Sequence, residues 1–310
     1  MALLFRKTGV FFLWGGFSIL FVGALGHRSN LFSTLLALLV TGLLSLWFYL
    51  EWNKGANKSG WTDGLFFSLG AALTLGLFHF TPLDNIAAAS FVGLGSTIAL
   101  KKVETPLYAG AFLGMSSAFF MAPIPFLLTL ALGGVIYGFV APYFNGLGGK
   151  LGFVAWMTAL TSARILNQPL IEETVEISLI GLWILSMIGV FLTAALVQKA
   201  LLSNVLASSV VGLSLAAFVF LFPQMGIYAA AAYGATFIGM SSAEQIPYGP
   251  VLLVAGTFYT LIFYFMMPYF PGLGGKLGAM AFVSTAMTYT LLQWVKKRLE
   301  ASSSKTLKTS

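Results

Sequence analysis

Apolar residues come in long blocks along this chain, separated by short polar punctuation. Twelve blocks are read, over residues 8–26, 31–50, 64–80, 86–100, 106–122, 124–144, 151–166, 177–198, 203–222, 227–246, 250–270 and 277–295. Their connections are short and carry Gly, Pro, Asn or a charge, the residues that punctuate helices. A helix of about 20 apolar residues crosses the ~30 Å hydrocarbon core of a bilayer. The pattern therefore predicts an all-α polytopic membrane protein with about 12 transmembrane helices. The runner-up is ten spans plus two re-entrant segments. The last dozen or so residues, rich in Ser, Lys and Thr, are read as a frayed polar tail.

Self-similarity sharpens this picture. Residues 142–152 read PYFNGLGGKLG and residues 268–278 read PYFPGLGGKLG, ten of eleven positions being identical. FLGMSSA at 112–118 returns as FIGMSSA at 237–243, with Tyr108 and Tyr233 four residues ahead of each copy. NIAAASFVGL at 85–94 matches NVLASSVVGL at 204–213. The order is kept at offsets of 117 to 126, so a unit of five blocks is duplicated. The division expected is an N-terminal helix pair over 1–60, a first five-helix repeat over 61–168, a second over 169–296, and a cytoplasmic polar tail over 297–310. An odd number of crossings makes the second copy enter from the opposite face. That is the inverted-topology repeat of many secondary transporters and some channels.

Composition narrows the function. Of 310 residues, 58% are hydrophobic and 8% charged, against about 25% charged in soluble domains. Cys is absent and His numbers two, which excludes disulfides and thiol chemistry and argues against a histidine metal centre. The net charge of +7 falls in short loops and the tail rather than in a nucleic-acid patch. With both termini cytoplasmic, thirteen of the 16 Lys and Arg lie inside and Arg28, Arg164 and Lys276 outside, as the positive-inside bias requires. The location expected is a bacterial cytoplasmic membrane. Nucleotide-binding loops, HExxH and dense acid–base clusters are missing from the sequence, so no enzyme is expected.

Three features carry candidate chemistry. The GMSSA copies, Gly114, Ser116 and Ser117 with Gly239, Ser241 and Ser242, are followed by Pro123 and Pro125 and by Pro247 and Pro250. Proline ends or kinks a helix, and a helix broken inside a membrane is tolerated where it lines a cavity or is buried in protein. Hydroxyls and freed carbonyls there suit an ion or a polar solute, although small residues also serve close helix packing. Glu244 follows the second copy directly where the first has Phe119, and an intramembrane carboxylate is a functional candidate by default. Lys150 and Lys276 in the GLGGKLG loops form a candidate anion vestibule, the alternative being a tight structural loop. Asn85 and Asn204 are read as helix N-caps, Arg164 as a partner of Glu172 or Glu173, and His79 as part of an interfacial aromatic belt.

These readings converge on a membrane transporter that moves a small solute through a site at the repeat interface. No cofactor is expected beyond Na+ or H+ as coupling ion. The alternatives are a passive channel for small neutral solutes and a non-transporting subunit or scaffold of a larger complex. The partners expected are the small-molecule or ion substrate, the lipid bilayer, and a second copy or another membrane subunit.

Overall fold

The computed structural model describes Gly42 and residues 61–116, 123–166 and 177–309. The first two apolar blocks, Ser117, Phe119 and the acidic cluster Glu172, Glu173 and Glu176 lie outside the described residues, as does any pairing of Arg164 with that cluster. The described residues form ten α-helices and two single 3-10 turns, with no strand among them. In chain order the helices are α1 (Trp61–Phe80), α2 (Asn85–Ala99), α3 (Glu104–Gly114), α4 (Pro123–Val140) and α5 (Lys150–Ile165), then α6 (Leu179–Gln198), α7 (Asn204–Leu221), α8 (Gly226–Gly239), α9 (Pro250–Met266) and α10 (Lys276–Thr309).

Three of these, α1, α6 and α7, are long and apolar enough to cross a membrane by length and composition. Two others correct the block boundaries read from the sequence. The helix within the block over 106–122 ends at Gly114, and that within 227–246 at Gly239. At 1.5 Å per residue these helices of 11 and 14 residues reach about 16 and 21 Å, short of a bilayer core. Apolar content alone overstated them, because the small and hydroxylated residues of GMSSA end the helix while hydropathy stays high. A third correction concerns the tail. Residues 297–309 continue α10 instead of fraying, since Lys, Arg, Leu, Glu and Ala are good helix formers.

Both short helices stop in the same way. The Met115 and Met240 amides bond back to Ala111 and Thr236, and the Ser116 and Ser241 amides to Leu113 and Ile238, each at 3.0 Å. The next helix then begins at a proline, Pro123 or Pro250, where the missing N–H is no loss.

Helix pairing follows one scheme in each half. α1 lies on α3 and α4, and α6 lies on α8 and α9. α5 packs on α3 and α4, and α10 on α8 and α9. The halves meet through α2 against α7 and α5 against α10. Small residues bring the backbones together, as in helices packed without a hydrophobic drive. A Cβ on Gly114 would meet the Ala71 carbonyl of α1, and one on Gly239 the Val190 carbonyl of α6. At the α5–α10 crossing, Gly149 lies by Phe282, Gly152 by Gly278 and Gly275 by Trp156. That falling register is antiparallel. The two helix starts therefore overlap side by side, and the loops that precede them lie on opposite sides of the Gly152–Gly278 contact.

Candidate functional site

The two most repeated motifs touch each other across the halves. The Ser116 hydroxyl accepts a hydrogen bond from the Gly274 amide at 2.7 Å, and Ser241 accepts one from the Gly148 amide at 3.0 Å. Each GMSSA serine thus holds the GLGG loop of the other half. Both serines are buried, so the bonds form away from solvent. The loops have a backbone that few residues adopt. Gly149 and Gly275 sit at φ of 84° and 81°, open to glycine at little cost. A Cβ on Gly148 or Gly274 would overlap the carbonyl oxygen of Phe237 or Phe112.

Lys150 and Lys276 also turn inward to their own loops. The Lys150 ammonium donates to the Ala141 and Tyr143 carbonyls at 3.0 and 3.2 Å and to Asn145 Oδ1 at 2.6 Å. Lys276 donates to the Met267 and Tyr269 carbonyls at 3.1 and 2.9 Å. These carbonyls end the preceding helix or follow it directly, where a cation is favoured by the dipole and by unpaired oxygens.

Two cavities adjoin these loops. The first, of about 220 Å3, is lined by Thr105, Asn145 to Leu151, Asn204, Val205, Met240 and Ser242. The second, of about 280 Å3, is lined by Asn85, Ile86, Phe112, Met115, Ala230, Tyr233, Phe237 and Gly272 to Gly278. Their linings correspond through the sequence repeat: Asn204 with Asn85, Val205 with Ile86, Met240 with Met115, Thr105 with Ala230, and loop with loop. Among the described residues neither lining contains a carboxylate.

At the wall of the second cavity, which includes Phe112, Tyr233 and Phe237, lies a buried aromatic and hydroxyl cluster. The Tyr108 and Tyr233 hydroxyls are 3.0 Å apart, and the Phe112 and Phe237 rings meet at a tilt of 59° with centroids at 4.8 Å. Each contact joins a residue to its own counterpart, so it lies midway between the halves. Tyr108 is also 3.0 Å from the Ser208 hydroxyl, which is 2.8 Å from Thr236. Thr236 in turn donates to the Tyr233 carbonyl at 2.7 Å. Ser90 and Ser209 are buried beside the same rings. In the first half the positions of Ser208 and Thr236 are Ala89 and Ala111, so the cluster is one-sided.

The remaining sequence candidates fall as follows. Ser242 is half-buried and lines the first cavity, its amide donating to the Gly146 carbonyl at 2.8 Å. Glu244 is exposed, on the turn after α8, and is in neither lining. The N-cap reading of Asn85 and Asn204 is corrected. Asp84 and Ser203 cap α2 and α7, accepting from the Ala87 and Leu206 amides. The asparagines are one residue further on and line the cavities instead. His79 is exposed with its ring edge-on to Phe80 at 5.3 Å.

Sequence reasoning left Tyr108 and Tyr233 out of the site, although their recurrence ahead of GMSSA was the available signal. Ser208 and Thr236 were hidden because they are where the repeat fails. A larger cavity of about 700 Å3 lies between α2 and α7, with Leu83, Ala87, Phe91, Leu213 and Phe220 in its wall. Its lining is apolar apart from Asp84, which caps α2, and lacks the convergent polar groups that orient a solute.

The class these observations define is an all-helical chain whose three bilayer-length apolar helices are compatible with an integral membrane protein. Comparison with protein-family models, curated proteins and solved structures finds no match.

Proposed function

We propose that this chain is a membrane transporter that carries a small solute between its two five-helix halves, arranged as an inverted-topology repeat. One observation carries the reading. Two cavities with corresponding linings, about 220 and 280 Å3, adjoin the two GLGG loops, and counterpart residues, Tyr108 with Tyr233 and Phe112 with Phe237, meet where the halves join. The antiparallel crossing of the counterpart helices α5 and α10 supports an axis across the helices rather than along them. An axis in the membrane plane is the one that relates opposite faces. Exchanging the conformations of the halves then opens one cavity as it closes the other.

The linings favour an uncharged solute. They hold two cationic groups, each turned to carbonyls, and no carboxylate among the described residues. A cation would enter without a counter-charge. Coupling to Na+ or H+ through Glu244 would need that exposed turn to move onto the route.

A passive channel is the second reading, favoured by linings that hold, among the described residues, no carboxylate to bind a coupling ion. Proteoliposomes separate the two. A transporter gives saturable uptake and faster efflux when the solute is also present on the far side, whereas a channel gives neither. Replacing Tyr108 and Tyr233 together by Ala should raise leak of small neutral solutes. If no neutral solute in a broad panel crosses faster than in empty vesicles, with or without those changes, both readings fail and a subunit of a larger complex takes their place.

A further inference from the structure

The large cavity between α2 and α7 shares no lining residue with the two cavities beside the loops. It follows the seam that joins the halves. A Cβ on Gly93 would meet the Ser209 hydroxyl, and one on Gly212 the Ser90 hydroxyl, so the two helices pass each other antiparallel. From that crossing the cavity extends to the start of α2 and the end of α7, from Phe91 to Asp84 and from Leu213 to Leu221. At 1.5 Å per residue these stretches are about 10 and 12 Å long. Phe91, Ala217, Phe220 and Leu221 are exposed in the wall, so the cavity is open rather than sealed. Its volume of about 700 Å3 suits one small organic molecule. The chemistry is lopsided. Among the described residues Asp84 is the one charged group of the lining, and every other lining side chain is aliphatic, aromatic or proline. The cap takes one carboxylate oxygen, Oδ1, to the Ala87 amide at 2.6 Å. That fixes the group on the rim while Asp84 stays exposed, and a carboxylate can accept several further bonds. The repeat fails here as well, because Asp84 answers to Ser203 and Phe91 to Val210. Of the two matched ends of the seam, this one carries the charge and the large ring.

We infer that this cavity binds a lipophilic amine, whose ammonium donates to the Asp84 carboxylate and whose aliphatic chain lies along the α2–α7 seam. Such a molecule uses both parts of the lining at once. The chain fills the apolar length, and the cation pairs with the one charge present, a contact stronger than a neutral hydrogen bond. A fatty carboxylate would set like charge against Asp84, and so would the phosphate of a bilayer lipid. A fatty alcohol has the chain and gains no charge pairing. The occupant touches α2 of one half and α7 of the other, so it ties the halves together whether or not the chain moves a solute.

The test uses the full chain in phosphatidylcholine nanodiscs, with octylamine, octanol and octanoate as probes. Octylamine should raise the thermal midpoint of the wild type in a saturable way, as a ligand of the folded state does. Octanol should do so more weakly, and octanoate not at all. Asn caps a helix as well as Asp does, so Asp84→Asn should fold like the wild type without the charge. It should weaken the octylamine response about fivefold, as expected of one charge pair on an open rim, and leave the octanol response as it was. Comparing wild type and variant with the same probe cancels the probe's partition into the lipid. Asp84→Ser, also a good cap, serves where the Asn variant is poorly stable and should give the same result. Ala217→Trp, a bulky side chain in the exposed wall, should weaken octylamine and octanol alike. An octylamine response indifferent to Asp84 overturns the inference, as does one matched by octanoate, or none. A response abolished when the discs are made of phosphatidylethanolamine would assign the cavity to bilayer lipid and overturn it too. Binding is read without any solute gradient, so a failure of the transport reading leaves this site standing, and a failure here leaves transport untouched.

Discussion

The serine–loop contacts and the surroundings of the two tyrosines occupy corresponding places in the two halves, yet they behave in opposite ways. Ser116 holds Gly274 and Ser241 holds Gly148, with the same donor, the same acceptor and distances of 2.7 and 3.0 Å. Around the tyrosines the match breaks. Tyr108 meets Ser208, which meets Thr236, while the equivalents beside Tyr233 are Ala89 and Ala111. The serine contacts join loop to motif across the halves, and either copy failing would loosen the whole frame, so both stay alike. The tyrosine cluster lies where the halves meet, and under the proposed function it would be the closure of the solute route, which need not be equally strong from both sides. Symmetry here marks support, and its loss marks the place where one side is given a different task.

The largest expected effect tests the symmetric part. Gly152 and Gly278 meet at the α5–α10 crossing, where a Cβ on either would come within 2.6 Å of the other's Cα. Gly152→Leu and Gly278→Leu should each destabilise by about 3 kcal/mol, the upper range for overpacking a tight interface. Thermal unfolding followed by tryptophan fluorescence, with the yield of monodisperse protein alongside, gives the comparison. One variant folding normally while the other fails would show that the crossing is not shared. Next come Ser116→Ala and Ser241→Ala. Each strands a buried loop amide, at a cost of about 1–3 kcal/mol. The two losses should agree closely, and amide exchange should speed up at Gly274 in one variant and at Gly148 in the other. Exchange rising at the loop of the substituted half would mean that the motifs do not cross over.

Much of this arrangement was legible in the sequence, and the parts that were not share a physical cause. Ten described helices stand where apolar blocks were read, because long apolar runs have few other ways to satisfy their backbone. GMSSA and GLGGKLG were found as repeats, but their contact was not, since identity between two segments says nothing of which other segment each touches. The ends of α3 and α8 were missed because apolar residues resume after GMSS, Phe119 to Met121 in one copy and Ile246 in the other, and the blocks were drawn through the break. Asn85 was read as a cap on composition, whereas the side chain one position earlier, Asp84, reaches the Ala87 amide first. The one-sided hydroxyls, Ser208 and Thr236, lie inside a matched segment and just before one, and a search for likeness passes over such differences.

A smaller effect sharpens the contrast at the tyrosines. Ser208→Ala removes one of the two partners of Tyr108 and of Thr236 and should cost about 1 kcal/mol. Ala89→Ser places a hydroxyl at the corresponding position beside Tyr233 and should leave stability level or raise it by about 0.5 kcal/mol. Combined, the two changes transfer the hydroxyl from one half to the other. If the asymmetry sets which cavity closes more firmly, the double variant should reverse the preferred face. That face is read as the accessibility of a cysteine placed at Asn85 or at Asn204 to a membrane-impermeant thiol reagent, the chain having no cysteine of its own. Labelling that stays the same in all three backgrounds would assign the asymmetry to packing alone.

The smallest expected effect concerns the other place where the repeat fails. Glu244 stands where the first half has Phe119, and from sequence it was the carboxylate best suited to couple an ion. It is exposed and outside both cavity linings, as a surface acid would be. Glu244→Gln should therefore change stability by less than about 0.5 kcal/mol, the usual range for surface substitutions. Solute flux should keep its rate and its pH profile. A flux that loses its pH or sodium dependence in this variant would bring Glu244 onto the route in some other conformation. The contrast between the halves would then lie in the turn after α8 as well as at the tyrosines, and the transporter would be ion-coupled. An unchanged profile leaves the Tyr108–Tyr233 cluster as the place where the two halves part company, with solute movement driven by the solute's own gradient.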